Sequence, residues 1–198
     1  QVIGQKAQRL KMLTDDLFEV SKAASGNIQV DLAPVELCSL IRQGMGELSD
    51  KMEQSGLDFR IHLPAQGVWV KADGKLLWRV VENLLSNVFK YAMPSSRVYL
   101  DVDEQEGKAA FTVKNISAYE LNVDPSELME RFKRGDASRH SEGNGLGLAI
   151  AKNLVELQGG VFTITVDGDL FKATVSLEKI HPPVKEAPAA PEEHPQIG

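Results

Sequence analysis

The chain has 198 residues, of which 42% are hydrophobic and 25% charged, a balance that supports a packed core and excludes global disorder and collagen-like repetition. Its 22 Lys and Arg residues against 28 Asp and Glu residues give a net charge of -6, which argues against nucleic-acid binding. The single cysteine, Cys38, excludes a disulfide framework. No apolar run approaches the roughly 18 residues of a membrane-spanning helix, so we expect no membrane contact by this chain. Because it begins at Gln1 rather than Met, we interpret it as a fragment of a longer protein.

Residues 1 to about 22 are predicted to form a helix with one narrow apolar stripe. The stripe recurs at steps of three, four and seven and consists of Ile3, Leu10, Leu13, Leu17 and Val20. Such a helix must bury its stripe, either on this chain's own core or against a partner helix. The partner helix would come from an upstream segment or from a second subunit.

The next elements alternate between helix and strand. Pro34 suits the first turn of a second helix that runs to about Gln54. Two alternating runs, 57–63 and 68–72, predict short strands. Asp73 is the expected N-cap of a third helix that runs to about Ala92.

The second half of the chain is predicted to consist of two hairpins, a long irregular segment and one helix. The hairpins pair 97–103 with 109–114 and 161–166 with 170–177. Between them lie the irregular stretch 115–144, with a helical turn near 125–132, and a fourth helix from 146 to 157. The sum of about six strands and four helices predicts an α+β fold, a two-layer sandwich in which helices cover one face of a mixed, mostly antiparallel sheet.

The third predicted helix places polar residues beside its core stripe. Asn83, Asn87, Lys90 and Tyr91 share one face at helical spacing. An Asn side-chain oxygen is a suitable ligand for Mg2+, and a Lys ammonium can meet a phosphate as a point charge. A plain solvated helix flank is the alternative interpretation of this helix taken alone.

Closely spaced glycines precede the fourth helix at Gly143, Gly145 and Gly147. Glycines let a backbone approach a ligand, and a helix start offers unpaired N–H groups to an anion. The pattern is neither a Walker loop nor the dinucleotide fingerprint, since no Gly-Lys-Ser/Thr follows and Leu148 replaces the glycine that the fingerprint requires. The basic segment from Arg131 to Arg139 is either an exposed charge run or a set of phosphate ligands on a lid.

Together these motifs resemble the catalytic ATP-binding domain of bacterial sensor histidine kinases, of the GHKL superfamily with the Bergerat fold. Three boxes occur in the family's order and spacing: Asn83-x-x-x-Asn87-x-x-Lys90-Tyr91, Glu130-Arg-Phe132 and Gly143-x-Gly145-Leu-Gly147-Leu148. The resemblance implies a catalytic ATP-binding domain over 34–179, preceded by a partial second helix of the dimerisation and phosphotransfer hairpin (1–25) and a linker (26–33). Residues 180–198, rich in Pro, Ala and Glu, are expected to form a disordered tail.

The resemblance also implies roles for individual residues in binding Mg-ATP. It makes Asn87 the Mg2+ ligand, lets Asn83 and Lys90 contact phosphates, and places Tyr91 beside the nucleotide, so that Asn83, Asn87 and Lys90 are the candidate catalytic residues. The remaining cofactor-binding candidates lie in the lid and the glycine cluster: Arg131, Arg134, Gly143, Gly145, Leu146, Gly147 and Leu148.

One motif departs from the family pattern at the adenine box. The family has Asp-x-Gly-x-Gly after its fourth strand, whereas this chain has Asn115 in the Asp position and Ser117 in that of the first glycine. Asn115 can still accept a hydrogen bond through its side-chain oxygen, although without the charge. A nucleotide-sensing module without catalysis therefore remains the alternative to a kinase.

The phosphoacceptor histidine is expected outside this chain. The family's acceptor is a His followed by Asp or Glu, and none of the four histidines fits: His62, His140, His181 and His194. The resemblance implies a homodimer formed through the hairpin and a response regulator as partner. It also implies a cytoplasmic location, with the parent protein anchored in the cell membrane. An ATPase or chaperone of the same superfamily would carry a Glu where this chain has Asn83.

Overall fold

The computed structural model describes residues 28–121 and 147–183. The predicted amino-terminal helix, the first two residues of the linker, the helical turn near 125–132 and most of the tail lie outside these residues. No helix within the two described stretches is long and apolar enough to cross a membrane.

Seven strands and four helices are present in the described residues. The first half contains β1 (Ala33–Glu36), α1 (Leu37–Glu47), α2 (Ser49–Ser55), β2 (Asp58–His62), β3 (Trp69–Ala72) and α3 (Gly74–Tyr91). The second half contains β4 (Arg97–Gln105), β5 (Lys108–Ile116), α4 (Gly147–Leu157), β6 (Val161–Asp167) and β7 (Leu170–Ile180).

The strands form one mixed sheet in the order β1-β3-β7-β5-β4-β2, with β6 also paired to β7. Only the β2–β4 pair is parallel, and the other pairs are antiparallel. Alternate residues of β4 and β5 are buried, including Val98, Leu100 and Phe111, and they pack with the apolar sides of α1, α3 and α4 in a single core. The predicted α+β sandwich with a mixed, mostly antiparallel sheet is therefore confirmed.

The start of the second predicted helix was wrong. Pro34 does not open a helix but lies in β1, an edge strand in which it pairs with Lys71 of β3. Proline suits both positions, because a helix start and an outward-facing edge position both leave the missing N–H without a required partner. The helix begins only at Leu37, where the Glu36 carboxylate accepts hydrogen bonds from the N–H groups of Cys38 (3.0 Å) and Ser39 (2.8 Å).

The same predicted helix is also divided in two, because α1 ends before Leu48 and α2 begins at Ser49. The end at Gly56 was predicted correctly, and this glycine adopts the left-handed conformation with φ of 64°. The second piece, α2, has no buried residue.

A close contact between Gly44 of α1 and Trp78 of α3 fixes the packing of these two helices. A methyl group added at Gly44 would lie 1.6 Å from the Trp78 ring, so only glycine fits at this point. The indole covers the helix backbone where any other residue would present a side chain.

We predict that Gly44→Ala lowers the free energy of unfolding by about 1–3 kcal/mol, because the added methyl group overpacks the contact with Trp78. Gly46→Ala is the matched control, since nothing lies within 4 Å of its added methyl group. This control should raise the stability by about 0.5 kcal/mol through helix propensity. Urea denaturation measures both changes, and an equal effect of the two substitutions would contradict the assigned contact.

Candidate functional site

The polar flank of α3 lies beside the buried stripe of the same helix. Asn83, Asn87 and Tyr91 are half-buried and Lys90 is exposed. The adjoining stripe is fully in the core and comprises Leu77, Val81, Leu84 and Val88. One face of the helix thus anchors it, while two carboxamides and a phenol lie at the boundary of the core.

Asp73 caps α3 and fixes where the helix begins. Its carboxylate accepts hydrogen bonds from the N–H groups of Lys75 (3.0 Å), Leu76 (3.2 Å) and Asp31 (3.0 Å). Burial by itself would raise the pKa of Asp73, but these hydrogen bonds outweigh it and hold that pKa below its ordinary value. The cap is therefore fully present above the ordinary Asp pKa and is lost only as the pH falls through the lowered one.

The start of α4 lies directly against Asn83. The Asn83 side-chain Nδ2 donates to the Arg79 carbonyl oxygen (3.0 Å), which fixes the orientation of the amide. A methyl group added at Gly147 would lie 3.3 Å from Asn83 Oδ1. The third and fourth helices therefore bring together two motifs that are far apart in the sequence, the Asn83 box and the last glycine of the glycine cluster.

Leu148, the residue after Gly147, packs into the core. Its side chain is buried in the core at 1% exposure, so it anchors the first turn of α4. Only the backbone of Leu148 is left to face a ligand.

Asn115, at the end of β5, is an unusual buried polar residue. Its side chain is 2% exposed, and its Nδ2 donates to the Ile116 carbonyl oxygen (3.1 Å). Its Oδ1 is buried and has no hydrogen-bond partner among the described residues. A buried acceptor without a partner costs about 1–3 kcal/mol, which a ligand that donates a hydrogen bond would recover.

Backbone hydrogen bonds join the end of β5 to the end of α3. The Met93 N–H donates to the Ile116 carbonyl oxygen and the Ala118 N–H donates to the Tyr91 carbonyl oxygen, both at 2.8 Å. These bonds place Asn115 beside the last turn of α3.

At the Ser117 position, where the family resemblance leads us to expect glycine, the hydroxyl accepts from the Tyr119 N–H (3.1 Å). The departure from glycine thus forms a local turn of its own. Its backbone is also fixed, since the Ser117 N–H donates to the Asp169 carbonyl oxygen (2.7 Å).

The described candidates therefore form a row along α3. Asn83 with Gly147 lies at one end, Tyr91 with Asn115 lies at the other, and Asn87 lies between them. The row is roughly 12 Å long, from the rise of an α-helix over eight residues. Five candidates lie outside the described residues: Arg131, Arg134, Gly143, Gly145 and Leu146.

Sequence reasoning missed a groove between α2 and α3. It has a volume of about 280 Å3, and its lining includes Leu48, Lys51, Glu82 and Asn83. It meets the row at Asn83 but does not reach Asn87, Tyr91 or Asn115, so it adjoins one end of the row. Leu48, at the break between α1 and α2, is one of its lining residues, and the helical periodicity gave no signal for that break.

Sequence reasoning also missed Gln158, just after α4, which is buried at 5% exposure. A lone Gln before two glycines carries no pattern that would have indicated contact with the start of α3.

Residues 72–183 match the sequence profile of the family described as histidine kinase-, DNA gyrase B-, and HSP90-like ATPase. This match spans more than half of the chain and includes every element of the row, so the chain belongs to this family. The resemblance inferred from the three boxes is thereby confirmed.

Similar proteins and solved structures include named histidine kinases. The chain is 30% identical over 196 residues to the circadian input-output histidine kinase CikA of Synechococcus elongatus, covering 96% of this chain and 26% of CikA. Full-length ShkA, crystallised in complex with AMPPNP, shares the fold with a TM-score of 0.71 at 23% identity, over 88% of this chain and 37% of ShkA. Histidine kinase ThkA, in complex with the response regulator protein TrrA, gives a TM-score of 0.70 at 19% identity, over 90% of this chain and 50% of ThkA. The chain spans from 26% to 53% of the length of the curated relatives CikA and YcbM, the latter a sensor histidine kinase of Bacillus subtilis.

We predict that Gly147→Ala weakens ATP binding by about tenfold, because the added methyl group presses on Asn83 Oδ1, at the end of the row where the family resemblance leads us to expect the phosphates. Gly74→Ala is the matched control, since it is also the first residue of a helix and its added methyl group would lie at an ordinary 3.8 Å from Val35. Isothermal calorimetry compares the two variants with the parent chain. Equal ATP affinity in all three would contradict a role of Gly147 in phosphate binding.

Proposed function

We propose that this chain is the kinase-core fragment of a two-component sensor histidine kinase. It binds Mg-ATP and transfers the γ-phosphoryl group to a histidine outside these residues, for relay to an Asp of a response regulator. This kinase core is cytoplasmic and is part of a longer, membrane-anchored protein that dimerises through the hairpin. The observation that carries the proposal is the row along α3, with an unpartnered acceptor at one end and a helix start at the other.

Asn115 supports adenine as the base bound at the first end. Its Nδ2 is held by the Ile116 carbonyl oxygen, so the unpartnered Oδ1 is the atom left for a ligand. An acceptor there pairs with the amino group of adenine and opposes the carbonyl oxygen that guanine has in that position. The amide therefore keeps the base preference that the family obtains from Asp, and the Ile116 carbonyl sets its direction.

The Asn83–Gly147 contact supports phosphate binding at the other end. The first turn of α4 leaves backbone N–H groups without helical partners, and the helix dipole favours an anion there. Gly147 has no side chain to separate this turn from Asn83. Lys90, in the last turn of α3, is exposed and basic, and it supplies positive charge toward the other end of the row. The chain thus offers phosphates backbone donors at the Asn83 end and an ammonium group further along the helix.

Asn87 fits the role of a Mg2+ ligand between the two ends. It is half-buried and lies one helical turn from Asn83, on the same side of α3. A neutral amide oxygen is a suitable ligand for this hard cation, whose remaining positions phosphate oxygens and water can fill. When bound, Mg2+ would neutralise charge on the transferred phosphoryl group.

The residues of the row act by positioning rather than by acid–base chemistry. Asn83 cannot remove a proton from water, so the row is suited to holding the nucleotide for attack by an external nucleophile and not to hydrolysis. This distinction favours phosphoryl transfer over an ATPase cycle.

Base selectivity tests the adenine end. We predict that Asn115→Ala weakens ATP binding by about tenfold, through loss of one buried hydrogen bond. Inosine triphosphate, which has a carbonyl oxygen in place of the amino group, should bind the parent chain more weakly than ATP and should bind Asn115→Ala as ATP does. Calorimetry of the parent chain and of Asn115→Ala with each nucleotide measures the four affinities to be compared. If Asn115→Ala preserved the parent's preference for ATP over inosine triphosphate, adenine would have to be recognised elsewhere.

A labelling experiment tests the proposed transfer. With Mg2+ and γ-labelled ATP, the 198-residue chain alone should bind nucleotide but gain no acid-labile, base-stable phosphate. A longer polypeptide that includes the histidine hairpin should become labelled. Asn87→Ala should reduce that labelling at least about tenfold, for the loss of one metal contact, whereas Asn153→Ala, a half-buried Asn of α4 outside the row, should not.

Two other outcomes would redirect the proposal. Stable label on the short chain that disappears when its four histidines are replaced by Gln would place the acceptor within it. Nucleotide binding without labelling of the longer polypeptide would support the alternative, a nucleotide-sensing module without catalysis.

A further inference from the structure

Gln158 joins the end of α4 to the start of α3. Its side chain is buried, its Oε1 accepts from the Asp73 backbone N–H (2.9 Å), and its Nε2 donates to the Leu154 carbonyl oxygen (2.7 Å). Both ends of the amide are therefore used. One bond holds the side chain to α4, and the other connects α4 to the cap residue of α3.

The two helices are antiparallel, and both ends of α4 contact α3 or its cap. Gly147, at the start of α4, lies against Asn83, and Gln158, just past its end, lies against Asp73. The ten steps from Asp73 to Asn83 and the eleven steps from Gly147 to Gln158 correspond to roughly 15 and 16 Å of helix. Because the spans match, the bond at one end determines which residue of α3 faces Gly147 at the other.

A second contact fixes the same end of α4 to the sheet rather than to α3. A methyl group added at Gly160 would lie 2.8 Å from the Leu177 side chain and from the Ser176 carbonyl oxygen of β7. This close approach holds the end of the helix down on the sheet. The hydrogen bonds of Gln158, by contrast, connect the end of α4 to the start of α3.

We propose that Gln158 is a positioning residue for nucleotide binding: it sets the register of α4 along α3, and thereby places the first turn of α4 at Asn83. A slip of one residue moves that turn by about 1.5 Å. The slip displaces the backbone donors that meet the phosphates but leaves Asn115, on β5, in place. The inference rests on the proposed function for the identity of the ligand, while the register itself belongs to the protein alone.

The test compares ATP with adenosine. In Gln158→Met, which keeps the length and apolar bulk of the side chain but neither hydrogen bond, ATP affinity should fall at least about tenfold, because misplacement near 1 Å is costly at a binding site. Adenosine affinity should stay within about twofold of the parent value, since adenosine has no phosphate for the N–H groups of α4 to bind. Gln158→Asn has the same amide on a shorter side chain that cannot span the two partners, and it should show the same pattern.

Val102→Ala is the control for lost stability, since Val102 is buried at 4% exposure in β4, away from the row. Even if this substitution lowers the midpoint of thermal unfolding, it should change the ratio of ATP to adenosine affinity by less than about twofold. The reason is that a loss of core packing in β4 does not act specifically on the phosphate end. A Gln158 variant that lowers both affinities equally, or neither, would overturn the proposal.

The backbone amide chemical shifts of the nucleotide-free protein, measured by NMR, provide a readout that does not depend on the proposed function. The shifts of Leu148 to Ile150, at the far end of α4 from the substitution, should change in the Gln158 variants and not in Val102→Ala. Unchanged shifts there would overturn the register assignment. Failure of the parent chain to bind ATP would instead contradict the proposed function and leave the NMR result to decide the register.

Discussion

The candidate site depends on the packing of α3, because this one helix carries the core stripe and the row of polar side chains. Its apolar face is held by the sheet and by α4, and its start is held by the Asp73 cap. Trp78, on its other flank, is locked against the backbone of Gly44. The half-buried amides at 83 and 87 keep fixed positions only because the helix cannot rotate about its axis. A rotation by one residue position, or about 100°, would carry them away from α4 and β5.

Much of this arrangement could be predicted from the sequence, since its signals are local. The stripe of α3 and the two hairpins follow from periods of 3.6 and 2, and Asp73 followed by Gly74 indicates a helix start. The Asn83 box could be recognised as a binding motif because it lies within one helix, and the glycine cluster because its glycines recur at every second residue of the sequence.

The remaining features depend on contacts between distant parts of the chain. Pro34 was assigned to a helix because its pairing with Lys71 of β3 is set by partners 37 residues away. Likewise, the meeting of Gly147 with Asn83 and that of Gln158 with Asp73 depend on how α4 lies on α3, which no local pattern encodes. Asn115 could be recognised as a departure from the family pattern, but the direction of its amide depends on the Ile116 carbonyl oxygen.

The position of Pro34 has a consequence for the behaviour of the folded chain in concentrated solution. The outer side of an edge strand presents unpaired N–H and C=O groups that can recruit a strand from another molecule. In β1, proline leaves a gap in that row of donors at the second of four residues, and the strand is too short to offer a continuous substitute. A side chain that misled the helix assignment thus protects the sheet margin against strand-by-strand self-association.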